Sequence, residues 1–494
     1  MRANGILLPV SSLPSRYGIG SFSKSAYEFI DFLRDAGQKY WQILPLGPTG
    51  YGDSPYQSFS TFAGNPYFID LDELIAQGLL TREECEACDF GDNPVYIDYE
   101  KIYLSRFRIL RRAFERSHIQ QNPDFQTFCQ DQALWLEDYS LYRAVKDSCG
   151  GVSWIEWPED IRLRKQEALA EYEKNYAQEI EFQKYQQYLF WTQWKKLKNY
   201  ANANGIQIVG DLPIYVAFDS ADSWANTDLF QFDQELRPIA VAGCPPDGFS
   251  ATGQLWGNPL YDWEYHKQTG FAWWMKRIAH CFQLYDMVRI DHFRGFDEYY
   301  SIPYGEKTAV NGTWKPGPGL TLFETLQREM GDLNIIAEDL GYLTDSVRKL
   351  LKDTGYPGMK VLEFAFDSRE ESDYLPHNYT KNCVVYTGTH DNNTVQGWYD
   401  ELSDHDRSFS ARYIDNKDHT RGRIHWDFIR LAMGSVAKLC MIPVQDFLGL
   451  GSEARINTPS TLGDNWKWRL TDGQLTVDLA REIRELTRLY GRGQ

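Results

Sequence analysis

Three acidic side chains stand where apolar runs of this chain end. Asp291 follows M-V-R-I, Glu338 follows N-I-I-A, and Asp391 follows C-V-V-Y-T-G-T-H. Two carboxyl groups that flank a glycosidic bond can break it, one acting as nucleophile and the other as acid and base. A third carboxylate can bind sugar hydroxyls more tightly in the transition state than in the ground state. The residue types therefore suit glycoside chemistry, provided that the fold brings them together.

The nearest candidate partner of Asp291 is Arg289. Side chains alternate along a strand, so the two residues share a face. An arginine beside a carboxylate lowers the carboxyl pKa and keeps it ionised, as a carboxylate nucleophile requires. The alternative interpretation is a structural ion pair inside the fold.

The other two carboxylates also have structural alternatives. Glu338 and Asp339 are adjacent, so they cannot both face the same cavity. Glu338 follows small apolar residues, which favours the raised pKa that a general acid needs; alternatively, one of the pair caps a helix and the other is exposed. His390 and Asp391 can hydrogen-bond sugar hydroxyls, or Asp391 caps the following helix.

The elements that would position these residues are short apolar runs that recur along the chain. The runs cover 5–8, 40–46, 206–212, 287–293, 334–341, 359–367, 383–391 and 442–448. Such runs are typical of parallel strands buried on both faces. Eight of them with helical stretches between predict an α/β fold, a (β/α)₈ barrel whose reactive groups lie at the strand ends.

The chain is longer than a minimal barrel, so we expect one catalytic domain over 1–494 with large insertions. A loop followed by a helical subdomain is predicted at 48–205, between the second and third strands. A second insertion is predicted at 213–285. Its segment 241–259 holds four Gly and three Pro, which predicts irregular backbone, and its Phe249 argues against plain disorder. The 46 residues after the last strand are too few for another domain.

Composition limits the partners and the compartment. Lys and Arg number 51 against 69 Asp and Glu, a net charge of −18, which disfavours nucleic acid and anionic membranes as partners. No apolar run is long enough to cross a membrane, and the apolar stretch near residue 5 is too short for a signal peptide, so we expect none. The eight cysteines are scattered, and the lone Cys85-x-x-Cys88 is insufficient for zinc. We expect a cytoplasmic protein without metal or organic cofactor.

Several segments carry a family resemblance. R-I-D-H-F, A-E-D-L-G and T-H-D-N-N resemble conserved regions of the α-amylase superfamily. L-P-S-R-Y-G-I-G-S-F, G-Y-G-D-S-P-Y-Q-S-F and Q-L-W-G-N-P-L-Y-D-W resemble the amylomaltases, the 4-α-glucanotransferases of glycoside hydrolase family 77. The similarity runs from about residue 5 to the end. It implies a (β/α)₈ barrel with inserted subdomains and no C-terminal β-sandwich.

The resemblance also implies roles. Asp291 would be the nucleophile, Glu338 the acid and base, and Asp391 the transition-state stabiliser, supported by Arg289 and His390. The residues that match sugar-contacting positions are Tyr56, Asp211, Trp256, Asn258, Asp367 and Asn457. Phe249 is a candidate shield over the bound sugar, and Tyr51, Tyr56 and Trp256 are candidate stacking platforms.

The implied activity is transfer of α-1,4-glucan segments between maltooligosaccharides, starch or glycogen chains, with net retention and possible formation of cycloamyloses. Its partners are glucan donors and acceptors, including amylose and glucose. Two alternatives stay open: a retaining α-1,4-glucan hydrolase, which releases reducing ends in proportion to the bonds that it breaks, and a non-catalytic glucan-binding protein.

Overall fold

The computed structural model describes residues 2–50, 52–246, 250–341, 343–369, 371–416 and 422–493. The strands in this part of the chain are β1 (Ala3–Leu7), β2 (Tyr40–Gln42), β3 (Gln207–Leu212), β4 (Ala240–Cys244), β5 (Gln254–Pro259), β6 (Met287–Ile290), β7 (Glu298–Pro303), β8 (Thr313–Pro316), β9 (Ile335–Ala337), β10 (Gly358–Val361), β11 (Cys383–Tyr386) and β12 (Leu439–Pro443).

Eight of these strands form one parallel sheet in the order β10-β11-β12-β1-β2-β3-β6-β9. The two outer strands, β9 and β10, meet through a hydrogen bond from the Ala337 N–H to the Pro357 carbonyl, at 3.0 Å. The sheet is therefore a nearly closed barrel, and the predicted (β/α)₈ fold is confirmed.

The last barrel strand lies earlier in the chain than predicted. β12 ends at Pro443, and the rest of the predicted run, Val444–Leu448, is a short helix. The strand and the helix residues 444–447 are all buried, so burial does not change where strand passes into helix. The prediction of a strand over 442–448 is therefore wrong in its bounds, although the strand itself exists.

The helices that accompany these strands are α1 (Lys24–Asp35), α2 (Leu71–Ala76), α3 (Arg82–Glu86), α4 (Tyr99–Ser117), α5 (Pro123–Asp131), α6 (Ala133–Ser148), α7 (Glu159–Arg162), α8 (Gln166–Asn175), α9 (Ala177–Ala203), α10 (Ala221–Ala225), α11 (Trp263–Gln268), α12 (Ala272–Leu284), α13 (Leu320–Met330), α14 (Asp345–Thr354), α15 (Val395–Glu401), α16 (Asp404–Tyr413), α17 (Ile424–Gly434), α18 (Val444–Leu448) and α19 (Val477–Leu489). Eight of them, α2 to α9, lie between β2 and β3. The division of the chain at 48–205 and 213–285 stays a prediction.

Helix α1 shows how local sequence sets an element. Phe29, Ile30 and Leu33 are buried on one face, which follows their helical spacing. Gly37 has φ +70°, and the Gln38 N–H returns to the Leu33 carbonyl at 2.9 Å. This is a left-handed glycine stop of the kind that ends helices.

A second sheet is antiparallel and has the order β5-β4-β7-β8. The prediction that 241–259 is irregular is therefore wrong at both ends, where the chain forms β4 and β5. β4 and β5 pair with each other, and β7, which lies outside that segment, pairs with the other edge of β4. Gly243 permits a close approach, since a Cβ there would lie 2.1 Å from the Gln254 carbonyl oxygen. The shielding role predicted for Phe249 falls outside the described residues.

The barrel interior holds its own apolar cluster, which includes Val209, Ile336 and Val384. Asp211 follows Val209 by two residues on β3, so its side chain points to the same interior. Arg289 is its register partner on β6. Within the described ranges, no helix has both the length and the apolar character needed to cross a membrane.

Candidate active site

Asp291 and Glu338 continue the barrel ladder just past their strands. The Asp291 N–H donates to the Leu212 carbonyl at 2.9 Å, and the Glu338 N–H donates to the Ile290 carbonyl at 3.0 Å. Both residues are thus fixed at the carboxyl ends of neighbouring strands, which is the end where (β/α)₈ barrels hold their active sites.

The Glu338 carboxylate accepts two backbone hydrogen bonds. The His292 N–H donates to Oε2 at 2.7 Å, and the Leu340 N–H donates to Oε1 at 2.8 Å. His292 has φ +52°, a left-handed conformation that is uncommon for a residue with a side chain. The turn after Asp291 therefore directs the His292 N–H toward the Glu338 carboxylate.

Arg289 bridges two aspartates. Its Nη1 lies 2.7 and 2.8 Å from the Asp211 carboxylate oxygens, and its Nη2 lies 3.0 Å from Asp291 Oδ1. The side chain of Asp211 is fully buried, whereas that of Asp291 is 28% exposed. Asp211 therefore anchors the guanidinium, while Asp291 stays partly exposed to solvent.

The pKa values of Asp291 and Glu338 are both raised. For Asp291, desolvation raises the pKa most, Arg289 lowers it, and the charges of Asp211, Glu338 and Asp391 raise it further. For Glu338, desolvation again raises the pKa, while Arg289 and the two backbone donors lower it. Arg289 thus acts on Asp291 in the predicted direction, but desolvation outweighs it, and the neighbouring carboxylates raise the pKa further.

Tyr56 connects Asp211 to His390. The Tyr56 hydroxyl donates to Asp211 Oδ2 at 2.7 Å, since a carboxylate only accepts. Its oxygen then accepts from His390 Nε2 at 2.8 Å, which assigns the Nε2–H tautomer. Burial lowers the pKa of His390, so the ring is neutral. The two rings stack with centroids 5.3 Å apart.

Asp391 is held by a segment from the end of the chain. Asn457 Nδ2 donates to Asp391 Oδ1 at 2.6 Å, and His390 Nε2 lies 3.4 Å from Oδ2. Arg455 donates to the carbonyls of Asp391 and Asn457 at 2.8 and 2.7 Å. The alternative of a helix cap is wrong, because Thr394 caps α15.

The structural alternative for Glu338 and Asp339 is also wrong. Asp339 is buried, 7% exposed, and its Oδ1 accepts from the Met359 N–H at 2.6 Å. The next helix, α14, is capped by Thr344 instead. The two adjacent carboxylates therefore have separate environments.

The insertion strand β5 brings two predicted residues beside the site. The Trp256 ring meets the His292 ring edge-on, with centroids 4.9 Å apart. Asn258 is buried and accepts from Gln57 Nε2 at 3.1 Å. Asp367 does not join this network, because it pairs with Arg369 at 2.5 Å on a partly exposed surface.

Some contributing residues were not foreseen. Gln57 follows Tyr56 in the Y-Q-S-F segment, and Arg455 precedes Asn457 by two residues, so proximity in sequence was a usable signal for both.

Tyr51 falls outside the described residues. Among those that the structure describes, no group of three or more His, Cys, Asp or Glu side chains could hold a metal ion.

Buried and half-buried carboxylates at the carboxyl rim of a parallel barrel define a (β/α)₈ barrel enzyme. A sequence model of glycoside hydrolase family 77, described as 4-alpha-glucanotransferase, matches residues 8–476. The chain therefore belongs to the 4-α-glucanotransferase family, and the predicted resemblance is confirmed.

Individual relatives agree with this assignment. A 4-alpha-glucanotransferase of Clostridium butyricum is 51% identical over 484 residues, covering 98% of this chain and 99% of the relative. That of Thermus thermophilus is 46% identical over 494 residues, covering 98% of each. The solved amylomaltase from Streptococcus agalactiae in complex with acarbose superposes with a TM-score of 0.97, at 40% identity over 100% of both chains.

Proposed function

We propose that this enzyme transfers α-1,4-glucan segments by a retaining double displacement on Asp291 and Glu338. The observation that carries the assignment is the unequal bonding of the two carboxylates. Asp291 has a direct ion pair with Arg289 at 3.0 Å, whereas Glu338 is bound by neutral backbone N–H groups. Because Arg289 pairs directly with Asp291 and not with Glu338, its charge favours ionisation of Asp291 more than that of Glu338, which suits the roles of nucleophile and of acid.

In the first step, Asp291 attacks the anomeric carbon, and the proton of Glu338 passes to the glycosidic oxygen. The leaving glucan departs and a covalent glycosyl-enzyme remains. In the second step, Glu338 takes the proton of an acceptor 4-hydroxyl, and that oxygen displaces Asp291 with net retention. Asp391 binds sugar hydroxyls more tightly as the positive charge develops on the ring.

The remaining predicted residues form the proposed sugar-binding surface. Arg289, His390 and Asn457 touch the catalytic carboxylates directly. Tyr56, Trp256, Asn258 and Phe249 supply the stacking and polar contacts proposed along the glucan. For Asp211 the buried side chain favours an indirect role through Arg289, and for Asp367 an outer contact is proposed.

Three finer points belong to the same proposal. The segment 241–259 covers the intermediate and limits hydrolysis, because water competes with the acceptor. Cycloamyloses form when the acceptor is the far end of the same chain. A cytoplasmic location accords with the free thiols of Cys85, Cys281, Cys383 and Cys440, which are buried.

Incubation with maltotriose tests the activity. A transferase gives glucose and longer maltooligosaccharides, while the number of reducing ends stays constant. A hydrolase, the alternative function, gives shorter products and a rise in reducing ends for every bond broken. Reducing-end assay and chromatography of the same sample separate the two, and the second outcome would reject the transferase assignment.

A further inference from the structure

The barrel closes at β9 and β10 by means of a side chain. The ladder starts with the bond from the Ala337 N–H to the Pro357 carbonyl. In a regular parallel ladder, the next bond would run from the Met359 N–H to the Ala337 carbonyl. The Met359 N–H instead donates to Asp339 Oδ1 at 2.6 Å. A carboxylate therefore takes the place of a backbone acceptor at the point of closure.

Gly358 makes room for this carboxylate. A Cβ at position 358 would lie 2.4 Å from Asp339 Oδ2 and 2.7 Å from its Cγ, both far below van der Waals contact. The Asp339 side chain thus packs directly against the β10 backbone at Gly358 and is 7% exposed. Its position is set by a hydrogen bond on one oxygen and by close packing on the other.

The same turn carries Glu338 and one of its two donors. Glu338 immediately precedes Asp339, and Leu340, whose N–H binds Glu338 Oε1 at 2.8 Å, immediately follows it. Movement of Asp339 would therefore displace both the carboxylate and the N–H that orients it. A rigid support for a reacting group matters, because small displacements cost large factors in rate.

We propose that Asp339 is a positioning residue for Glu338: its carboxylate fastens the 338–340 turn to β10 by accepting the Met359 N–H. The inference rests on the acid and base role proposed for Glu338. It predicts that loss of this hydrogen bond weakens protonation of the leaving group more than it weakens attack by Asp291.

Two donors separate these effects. Maltotriose needs a proton on its leaving oxygen, whereas α-maltotriosyl fluoride loses fluoride without one. For Asp339→Ala we expect the rate with maltotriose to fall at least about tenfold more than the initial burst of fluoride release, a partial loss of the factor of about 10² to 10⁴ that general acid catalysis supplies. Asp339→Asn keeps an acceptor oxygen and should restore most of the maltotriose rate.

Asp286 offers a matched control at the other end of the barrel. Its Oδ2 accepts the Ile208 N–H at 2.8 Å, so it is also a carboxylate that bonds to the backbone of a neighbouring strand. Asp286→Ala should lower stability without changing the ratio of the two rates. Gly358→Ala displaces the Asp339 carboxylate without removing it, and should reproduce the selective loss if Asp339→Ala does not fold.

Equal losses on both donors in Asp339→Ala and Gly358→Ala would overturn the proposal, as would an Asp339→Asn variant as impaired as Asp339→Ala. Glu338→Gln, measured in parallel, distinguishes a failure of the positioning role of Asp339 from a failure of the acid role of Glu338. If Glu338→Gln loses much more of the rate with maltotriose than of the fluoride burst and the Asp339 variants do not, only the positioning role of Asp339 fails. If Glu338→Gln loses the two rates equally, the acid role of Glu338 itself fails.

Discussion

Asn457 Nδ2 lies 2.6 Å from Asp391 Oδ1, although 66 residues separate the two in the chain. The Asn457 N–H also donates to the His390 carbonyl at 3.1 Å. The segment that follows the last barrel strand therefore fixes both the backbone and the carboxylate at the end of β11. The orientation of Asp391 thus depends on a part of the chain outside the barrel strands.

Asn457→Ala should reduce kcat/KM for maltotriose about tenfold, equivalent to about 1.4 kcal/mol, because Asp391 loses its strongest side-chain donor. Steady-state kinetics measure the loss. Asn465→Ala is the control: Asn465 Oδ1 accepts the Thr458 N–H in the same segment at 2.9 Å without touching the carboxylates. A comparable loss in Asn465→Ala would show that segment stability, not the contact with Asp391, is responsible.

Glu338→Gln should lower transfer from maltotriose by about 10² to 10⁴, since the general acid is lost. With an activated glucosyl fluoride, however, glycosylation continues while deglycosylation lacks its base, so the glycosyl-enzyme should accumulate on Asp291. Peptide mass spectrometry measures the adduct. Asp291→Asn should abolish turnover of both donors, and an adduct on any other residue would contradict the assignment of the nucleophile.

The pH profile of kcat/KM should be shifted upward as a whole. Asp291 must be ionised, so activity falls as the pH drops through its pKa; Glu338 must be protonated, so activity falls as the pH rises through its own. Desolvation raises both pKa values. Both limbs of the bell-shaped profile should therefore have apparent pKa values above the ordinary carboxyl range of about 3.9 to 4.3. These two values belong to the interacting pair of carboxyls and not to either residue alone. An acidic limb at or below that range would contradict the raised pKa values.

Phe249→Ser should change the partition between hydrolysis and transfer, because water would reach the glycosyl-enzyme more often. A tenfold shift needs only about 1.4 kcal/mol. Glucose and reducing ends, assayed together, give the ratio. Leu255→Ser is the control, since Leu255 is an exposed apolar residue of the same insertion. An unchanged ratio in Phe249→Ser, or the same change in both variants, would remove the shielding role.

Local sequence predicted the structure correctly wherever burial produces a short apolar run or an alternation of side chains. The eight apolar runs predicted every barrel strand, because strands covered on both faces must be apolar throughout. Strand alternation also placed Arg289 on the face of Asp291, where the two form an ion pair. The same patterns were uninformative at Pro443, where strand passes into helix within one buried run.

The antiparallel sheet could not be read from 241–259 alone. Its β4 gains hydrogen bonds from β7, which lies some sixty residues later, and Gly243 allows the close approach of β5. In isolation the abundance of Gly and Pro indicates irregular backbone. Antiparallel pairing overrides that tendency, because β4 and β5 pair with each other within the segment and β7 then pairs with the other edge of β4, so that the ladder satisfies the backbone groups.

The amino-acid sequence by itself determined the barrel class, the family and the positions of the carboxylates, because strand ends and motifs are local. Only the tertiary structure decided their partners. Tyr56 and Asp211 are 155 residues apart, and Tyr56 and His390 are 334 apart. Contacts over such separations depend on the order of the strands in the parallel sheet, which brings the carboxyl ends of strands far apart in the chain to one rim. The charge on each group follows from that packing, because desolvation and neighbouring carboxyls set its pKa.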